Sequence, residues 1–126
     1  MKRLWIGVGL LVGIVLVGMW TTGKLNRIHI AIAEELLQSA QAAQAGNWVD
    51  ADAAAENAAQ GWQESWHFSA ALADHTVLDE IDGLFAQAEI YRKNRSTVDY
   101  AAVCARLAQH VQALQEGHRI SWWNLL

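Results

Sequence analysis

The most apolar stretch of the chain lies at its beginning. Leu4 to Gly23 is a run of twenty residues without a charged side chain. At about 1.5 Å per residue, a helix of this length spans about 30 Å, the thickness of the hydrocarbon core of a bilayer. Tryptophans and basic residues, which favour the headgroup region, bracket the run at both ends. The pattern predicts one transmembrane helix in residues 1–24, anchored by Lys2, Arg3, Trp5, Trp20, Lys24 and Arg27.

A cleaved signal peptide is the alternative interpretation, because the run follows a short basic start. No Ala-x-Ala-like site precedes the end of the run, and the run is longer than a usual signal-peptide core, which favours a retained anchor. Positive charge flanks both ends, so the orientation rests on the amino terminus with Lys2 and Arg3. We expect a single-pass protein of the cell membrane, with its N-terminus in the cytoplasm and the rest of the chain outside it.

Two glycines of this run stand four residues apart. Gly9 and Gly13 form a Gly-x-x-x-Gly pair, the spacing at which two membrane helices can approach closely. Glycine is also common in membrane helices that have no such role. A homo-oligomer formed through this face is therefore a hypothesis that stands beside the plain alternative.

After the anchor, apolar residues recur at spacings of three and four in four successive segments, the pattern of amphipathic helices. Glycine and capping residues separate the segments. The expected boundaries are Gly46-Asn47 before a second helix at Trp48, a cap at Asp74 or Thr76 for the third, and Ser96 to Asp99 before a fourth that reaches Gly117.

The chain has no proline and recurrent alanine, a composition that favours long helices over a turn-rich β-fold. We therefore predict an all-α protein, in which a single transmembrane helix precedes a small antiparallel four-helix bundle of two hairpins. The bundle is expected over residues 25–118, and an apolar tail over 119–126. The second helix is rich in alanine, and Trp48, Trp62 and Trp66 are expected to supply its bulk.

Charge divides the 126-residue chain into two parts of opposite sign. Residues 1–27 carry four basic side chains and no acidic one, whereas residues 28–126 carry five basic and thirteen acidic ones. Nucleic-acid binding depends on neutralising phosphates with lysine and arginine, so the acidic composition of this domain argues against a nucleic-acid partner.

One face at the start of the third helix combines an imidazole with two carboxylates. His75, Asp79 and Asp82 stand at positions i, i+4 and i+7, and His110 of the fourth helix is a further candidate ligand for a divalent cation. The competing interpretation is that the carboxylates stabilise the N-terminus of the helix. Ligand spacing along one helix does not show that the ligands converge, so we expect no metal and no cofactor.

The last residues are more apolar than is usual for a free chain end. Trp122, Trp123, Leu125 and Leu126 are expected to bind a partner, the membrane surface or the domain itself. Motifs for a nucleophilic serine elbow, a phosphate-binding loop, a dinucleotide site or a His-Glu-x-x-His zinc site do not occur. Cys104 lies on an inward helical face, where a thiol is usually inert.

Several of these features occur together: the N-terminal span, the Asn47-Trp48 turn, Trp62 and Trp66, the segment His75-x-x-Leu78-Asp79-x-Ile81-Asp82, and the closing Ser121-x-x-Asn124-Leu125-Leu126. In this combination the chain resembles domain of unknown function 4363, a family of short anchored proteins of clostridia and related bacteria. Trp122-Trp123 departs from the family's pattern in the tail. The resemblance implies a bacterial membrane location and an extracytoplasmic helical domain, and it supplies no reaction.

These observations predict a non-enzymatic interaction module for another membrane or envelope protein. The contact is expected at the tail or at an acidic face. The alternative is an extracytoplasmic sensor of a metal or small ligand, built on the start of the third helix.

Overall fold

The computed structural model describes residues 2–72 and 74–124, and every regular element in that part of the chain is an α-helix. Side chains are described for these residues except at positions 21, 22, 25, 68, 71, 72 and 115–124. The all-α prediction is confirmed. The helices are α1 (Lys2–Gln44), α2 (Trp48–Leu72), α3 (His75–Lys93) and α4 (Thr97–Asn124).

Helix α1 joins the apolar run to the rest of the chain without a break. It has 43 residues and therefore a length of about 65 Å. Its first part, Lys2–Trp20, is long and apolar enough to cross a membrane, and none of that window is buried. The first buried side chain along α1, among those described, is His29. One helix thus changes from an exposed apolar rod to a packed helix within about 14 Å.

The end of α1 lies where the sequence predicts it. Gly46 has a φ of 81°, the left-handed conformation that glycine adopts without a steric cost. The N–H of Gly46 donates to the carbonyl of Ala43 at 3.0 Å, and the N–H of Asn47 donates to the carbonyl of Ala42 at 2.8 Å. These bonds satisfy carbonyls at the end of the helix, so the chain can reverse within three residues.

The turn between α3 and α4 repeats this hydrogen-bond pattern without a glycine. The N–H of Arg95 donates to the carbonyl of Arg92 at 3.2 Å, and that of Ser96 to the carbonyl of Tyr91 at 3.0 Å. Arg95 has a φ of 55°, a conformation that costs a non-glycine residue about 1 kcal/mol. Contacts of its own side chain, described below, offset this cost.

The N-terminus of α3 is capped by Asp74, one of the two residues that the sequence offers for this role. Its carboxylate accepts the backbone N–H of Thr76 at 3.1 Å. Arg92 and Lys93 lie in the last turn of the helix, where their charges favour its dipole.

The expected end of α4 at Gly117 is wrong. The helix continues through this glycine to Asn124, so most of the segment predicted as a separate tail is the last part of α4. A single glycine inside a helix costs only about 1 kcal/mol relative to alanine, which the hydrogen bonds of a long helix readily offset.

The core consists of one apolar stripe from each helix and extends from α1 to Leu114 of α4. On α2 the helical spacing from Ala51 predicts Ala55, Ala59, Trp62 and Trp66 on the inner face. Ala51 and Trp62 are buried, but Ala54 and Ala58 are buried in place of Ala55 and Ala59, which are only half-buried. A run of alanines is apolar on every side, so its pattern does not select a face. The buried cluster includes Ile32, Leu36, Trp62, Leu78, Ile81, Leu84, Tyr100, Val103, Cys104, Leu107, Val111 and Leu114.

The four helices do not contact one another equally. Helix α1 packs most extensively, against both α2 and α4, and α3 packs mainly against α4. Helices α2 and α3 contact each other least among the pairs that pack together. This weak contact leaves an opening on one side of the domain.

Candidate functional site: a groove between α2 and α3

The opening between α2 and α3 is a groove of about 580 Å³. Leu36 of α1 and Tyr100 of α4 lie at its floor. Alanines form much of its walls, with Ala55 and Ala59 on α2 and Ala86 on α3. Small side chains at these positions leave space that larger residues fill in an ordinary helix interface. The volume lies within the range typical of ligand sites in proteins.

Polar side chains surround this apolar floor. Glutamates 56 and 89 and Asp82 supply three carboxylates, Gln60 and Gln63 supply amides, and Arg92 supplies the one guanidinium among the residues that line the groove. The groove therefore has an apolar floor and a rim of net negative charge.

One end of the groove is closed by an aromatic pair bound to a carboxylate. Trp62 is only 3% exposed, and its ring lies 6.1 Å from that of Phe85, nearly parallel to it. The indole N–H of Trp62 donates to Asp82 at 2.6 Å, and that of Trp66 donates to the other oxygen of the same carboxylate at 3.2 Å. Asp82 of α3 thus holds two tryptophans of α2 by charge-assisted hydrogen bonds.

The other end is closed by four residues that we call the Asp52 cluster: Trp48, Asp52, Arg92 and Arg95. Arg92 donates to Asp52 at 3.0 Å, and Arg95 donates to both of its oxygens at 3.0 to 3.3 Å. The guanidinium of Arg95 also lies 4.9 Å from the centre of the Trp48 ring, a cation–π contact. These contacts compensate for the strained backbone of Arg95.

The charges in the Asp52 cluster stabilise the ionised carboxylate. The hydrogen bonds from Arg95, followed by those from Arg92, hold the pKa of Asp52 below its usual value of 3.8, although partial burial works in the opposite direction. Asp52 is therefore ionised throughout the neutral range.

A buried polar chain lies beneath the groove. Ser39 donates its hydroxyl proton to the carbonyl of Ala51 at 2.6 Å, so Tyr100 donates its own to Ser39. Burial raises the pKa of Tyr100 above its usual range and that of the Cys104 thiol to about 11. Both groups stay protonated at neutral pH, so Cys104 is not the thiolate that nucleophilic chemistry requires.

The structure does not bring the four candidate metal ligands together. His75 and Asp79 are exposed on α3, whereas both oxygens of Asp82 accept indole N–H groups. His110 lies on the other side of α3, with its Nδ1 2.8 Å from the carbonyl of Arg106 and its Nε2 3.9 Å from a carboxylate oxygen of Glu80. Within the described residues, no group of three or more His, Cys, Asp or Glu side chains is placed to hold a metal ion.

The anchor residues lie on the exposed first part of α1. Trp5 and Trp20 are 76% and 69% exposed, and the ammonium of Lys24 lies 5.3 Å from the Trp20 ring centre. Lys2, Arg3 and Arg27 are exposed as well. A Cβ atom added at Gly9 or Gly13 would meet nothing within 4 Å, so this face has room for a second helix.

The residues predicted to bind a partner fall outside the described part of the chain. This applies to Leu125 and Leu126 entirely, and to the side chains of Trp122 and Trp123. Of the tryptophans predicted to supply bulk, Trp62 is buried, and Trp48 and Trp66 are half-buried beside the core.

Sequence reasoning missed Asp52 and Arg95, although a signal for their pairing exists. Asp52 stands 21 residues before Ala73, and Arg95 stands 21 residues after Asp74. Trp62 and Phe85 are each eleven residues from the same connection. When two helices are joined by a short turn, positions at equal distances from the turn lie side by side. This rule identifies both ends of the groove.

The model of one protein family matches most of the chain. This family is described as Domain of unknown function (DUF4363), and the match covers residues 19–125. No curated protein and no solved structure matches the chain. The match includes all of α2 and α3 and therefore both walls of the groove.

Replacing Asp82 tests the closed end of the groove. Asp82→Ala should lower the free energy of unfolding by about 1–2 kcal/mol, because the N–H of the buried Trp62 loses its acceptor. Asp82→Asn keeps one oxygen acceptor and should fall between this variant and the wild type. Thermal unfolding followed by circular dichroism measures the effect.

The matched control is Asp79→Ala, which removes an exposed carboxylate from the same helix. It lies beyond the first turn of α3, where the helix dipole has little effect, and its melting temperature should stay near that of the wild type. Equal melting temperatures for the two alanine variants would show that the indole contacts do not contribute to stability.

The Asp52 cluster predicts a pH dependence of stability. Because the folded state holds the pKa of Asp52 below 3.8, the carboxylate stabilises the fold above that pH, and this contribution is lost as the pH falls through the folded-state pKa. Asp52→Asn should therefore be less stable at pH 7, by no more than about 1 kcal/mol for so accessible a group. Its stability should also fall less steeply between about pH 5 and pH 2, because the variant has no carboxylate at position 52 to take up a proton in this range.

Denaturant unfolding at a series of pH values measures this difference. The control is Glu34→Gln, which neutralises an exposed carboxylate of α1. Its curve should run parallel to that of the wild type. An Asp52→Asn curve that also runs parallel over the whole range would contradict the assignment.

Proposed function

We propose that this chain, which belongs to the DUF4363 family, is a non-enzymatic, membrane-anchored module that binds another membrane or envelope protein outside the cytoplasm. The observation that carries the proposal is the continuity of α1. The same helix contains the exposed apolar segment Lys2–Trp20 and the buried residues on which α2 and α4 pack. A rigid connection of this kind holds a domain at a fixed height above the bilayer, where a neighbouring membrane protein can reach it.

The proposed arrangement beyond the anchor is an antiparallel four-helix bundle of two hairpins. Contacts between successive helices support it, because they pair residues in opposite chain order. Ser39 of α1 contacts Ala51 of α2. His29, which comes earlier in α1, contacts Ser69, which comes later in α2. The two ends of the groove relate α2 to α3 in the same way.

The length of α4 supports a contact near the membrane. From the Ser39–Tyr100 contact, Trp20 lies about 29 Å back along α1, and Trp122 lies about 33 Å forward along α4. In antiparallel helices these two positions reach the same level. In this arrangement the end of α4 reaches the outer surface of the bilayer, where indole rings are favoured and where a membrane partner is accessible, so Trp122, Trp123, Leu125 and Leu126 remain the proposed partner contact.

The charge of the domain supports a protein partner. Its acidic surface repels the phosphates of nucleic acids, while an apolar centre with a polar rim is the usual composition of a protein-binding site. The open face at Gly9 and Gly13 also supports association of two copies within the membrane.

Topology tests the anchored position. Expressed in a bacterial host with a C-terminal epitope, the chain should sediment with membranes. Its intact mass, measured by mass spectrometry, should include residues 1–23. External protease should remove the epitope from protoplasts but leave a cytoplasmic marker protein whole, because the domain lies outside. A mature chain that begins near Gly23 and is released into the medium would refute the proposal.

The tail is tested by its two tryptophans. The double variant Trp122→Ala/Trp123→Ala should lose at least about 90% of a partner crosslinked in membranes, because buried tryptophans often contribute 2 kcal/mol or more to binding. The matched control is Val49→Ala/Val98→Ala, which removes two exposed apolar side chains, 80% and 82% exposed, at the opposite end of the domain. Equal recovery of the partner by both double variants would exclude the tail as the contact.

A further inference from the structure

The shape of the α2/α3 groove favours an elongated occupant. Its walls extend from Ala55 to Gln63 along α2 and from Asp82 to Arg92 along α3. Each wall is therefore about two to three helical turns long, or about 12–15 Å. Because the alanines in these walls are small, the axis of a third helix can approach those of α2 and α3 to about 8–10 Å, the usual distance between packed helices.

The groove also offers an aromatic contact for an apolar side chain. Phe85 is half-buried at one end, where its ring stacks on that of the buried Trp62. An inserted helix with leucine-like side chains on one face buries them against Phe85 and the alanines of the walls, the mode by which amphipathic helices bind in grooves.

The rim determines the charge of the occupant. Three carboxylates, those of Glu56, Asp82 and Glu89, border the groove, whereas its guanidinium, on Arg92, is bound to Asp52. A helix that places lysines or arginines beside its apolar face is attracted to this rim, and an acidic helix is repelled from it.

This chain does not supply such a helix to its own groove. After Arg27 its basic residues are Arg92, Lys93, Arg95, Arg106 and Arg119, and the first three of these belong to the end of α3 and its turn. The groove contacts α4 near its first residues, at Tyr100, whereas Arg119 lies about 28 Å further along that helix. The described helices therefore leave the groove open to a helix of a partner protein.

We infer that the α2/α3 groove binds a cationic amphipathic helix of the partner protein. This inference rests on the proposed function and names the chemistry of the partner's binding segment. The apolar face of that helix packs on the alanines of the two walls and on the half-buried Phe85, and its basic residues face Glu56 and Glu89.

A peptide probe tests the groove directly. A helical peptide composed only of leucine and lysine, with its leucines on one face, is labelled with a fluorophore and titrated with the full chain in phosphatidylcholine nanodiscs. Empty nanodiscs serve as the blank. Fluorescence anisotropy should show saturable binding, and the corresponding leucine–glutamate peptide should bind at least about tenfold more weakly.

Ala86→Trp fills the groove from an exposed wall position, and it should weaken binding of the leucine–lysine peptide at least about tenfold. Its control is Ala102→Trp, which adds the same side chain at an exposed position of α4 that does not line the groove.

The variant Glu56→Gln/Glu89→Gln should weaken binding about threefold or more, because two surface charge pairs are lost. Its control is Glu34→Gln/Asp79→Asn, which changes the net charge equally outside the groove.

Equal binding of the peptide to the Ala86 and Ala102 variants would overturn the inference. So would equal binding of the lysine and glutamate peptides. If the groove inference fails in this way while the tryptophan variant of the tail still loses its crosslinked partner, the proposed function stands without it. Peptide binding in the groove together with release of the native chain from the membrane would support the groove and refute the anchored module.

Discussion

The packing of α2 and α4 on α1 is the interaction on which the rest of the structure depends. Helix α1 has its apolar stripe on the part that follows the exposed segment, and Ile32 and Leu36 of this stripe are almost completely buried. Helix α3 packs mainly against α4, which in turn packs on α1. A loss of packing on α1 would therefore separate the domain from its anchor and remove the floor of the groove at the same time.

The groove persists because polar contacts fix α2 and α3 at a distance. At one end Asp82 of α3 binds the indoles of α2, and at the other Asp52 of α2 binds the arginines of α3 and its turn. Between these ends several of the facing residues are alanines, which are too short to fill the space. Each end joins a side chain long enough to cross the gap to a short carboxylate, so the same contacts that connect the helices also keep them apart.

The sequence predicts the helices well because their boundaries are local. Gly46, Asp74 and the residues around Ser96 act on backbone groups within a few residues of themselves, and the structure has helix ends at each of them. The groove was not predicted, because the alanines of α2 give no periodic signal and because its end contacts join residues far apart in the chain. The expected stop at Gly117 failed for a related reason: a glycine ends a helix only when the surrounding chain gains by turning there.

The continuity of α1 gives the two proposed contact surfaces a defined separation. Leu36, at the floor of the groove, lies sixteen residues after Trp20, so the groove is held about 24 Å beyond the outer end of the apolar segment. In the proposed antiparallel arrangement, the end of α4 reaches back to the level of that segment. A partner that binds both surfaces must therefore present its basic helix about 24 Å above the bilayer. Two weak contacts at a fixed spacing bind together far more tightly than either does alone, and they select a partner by its geometry as well as by its charge.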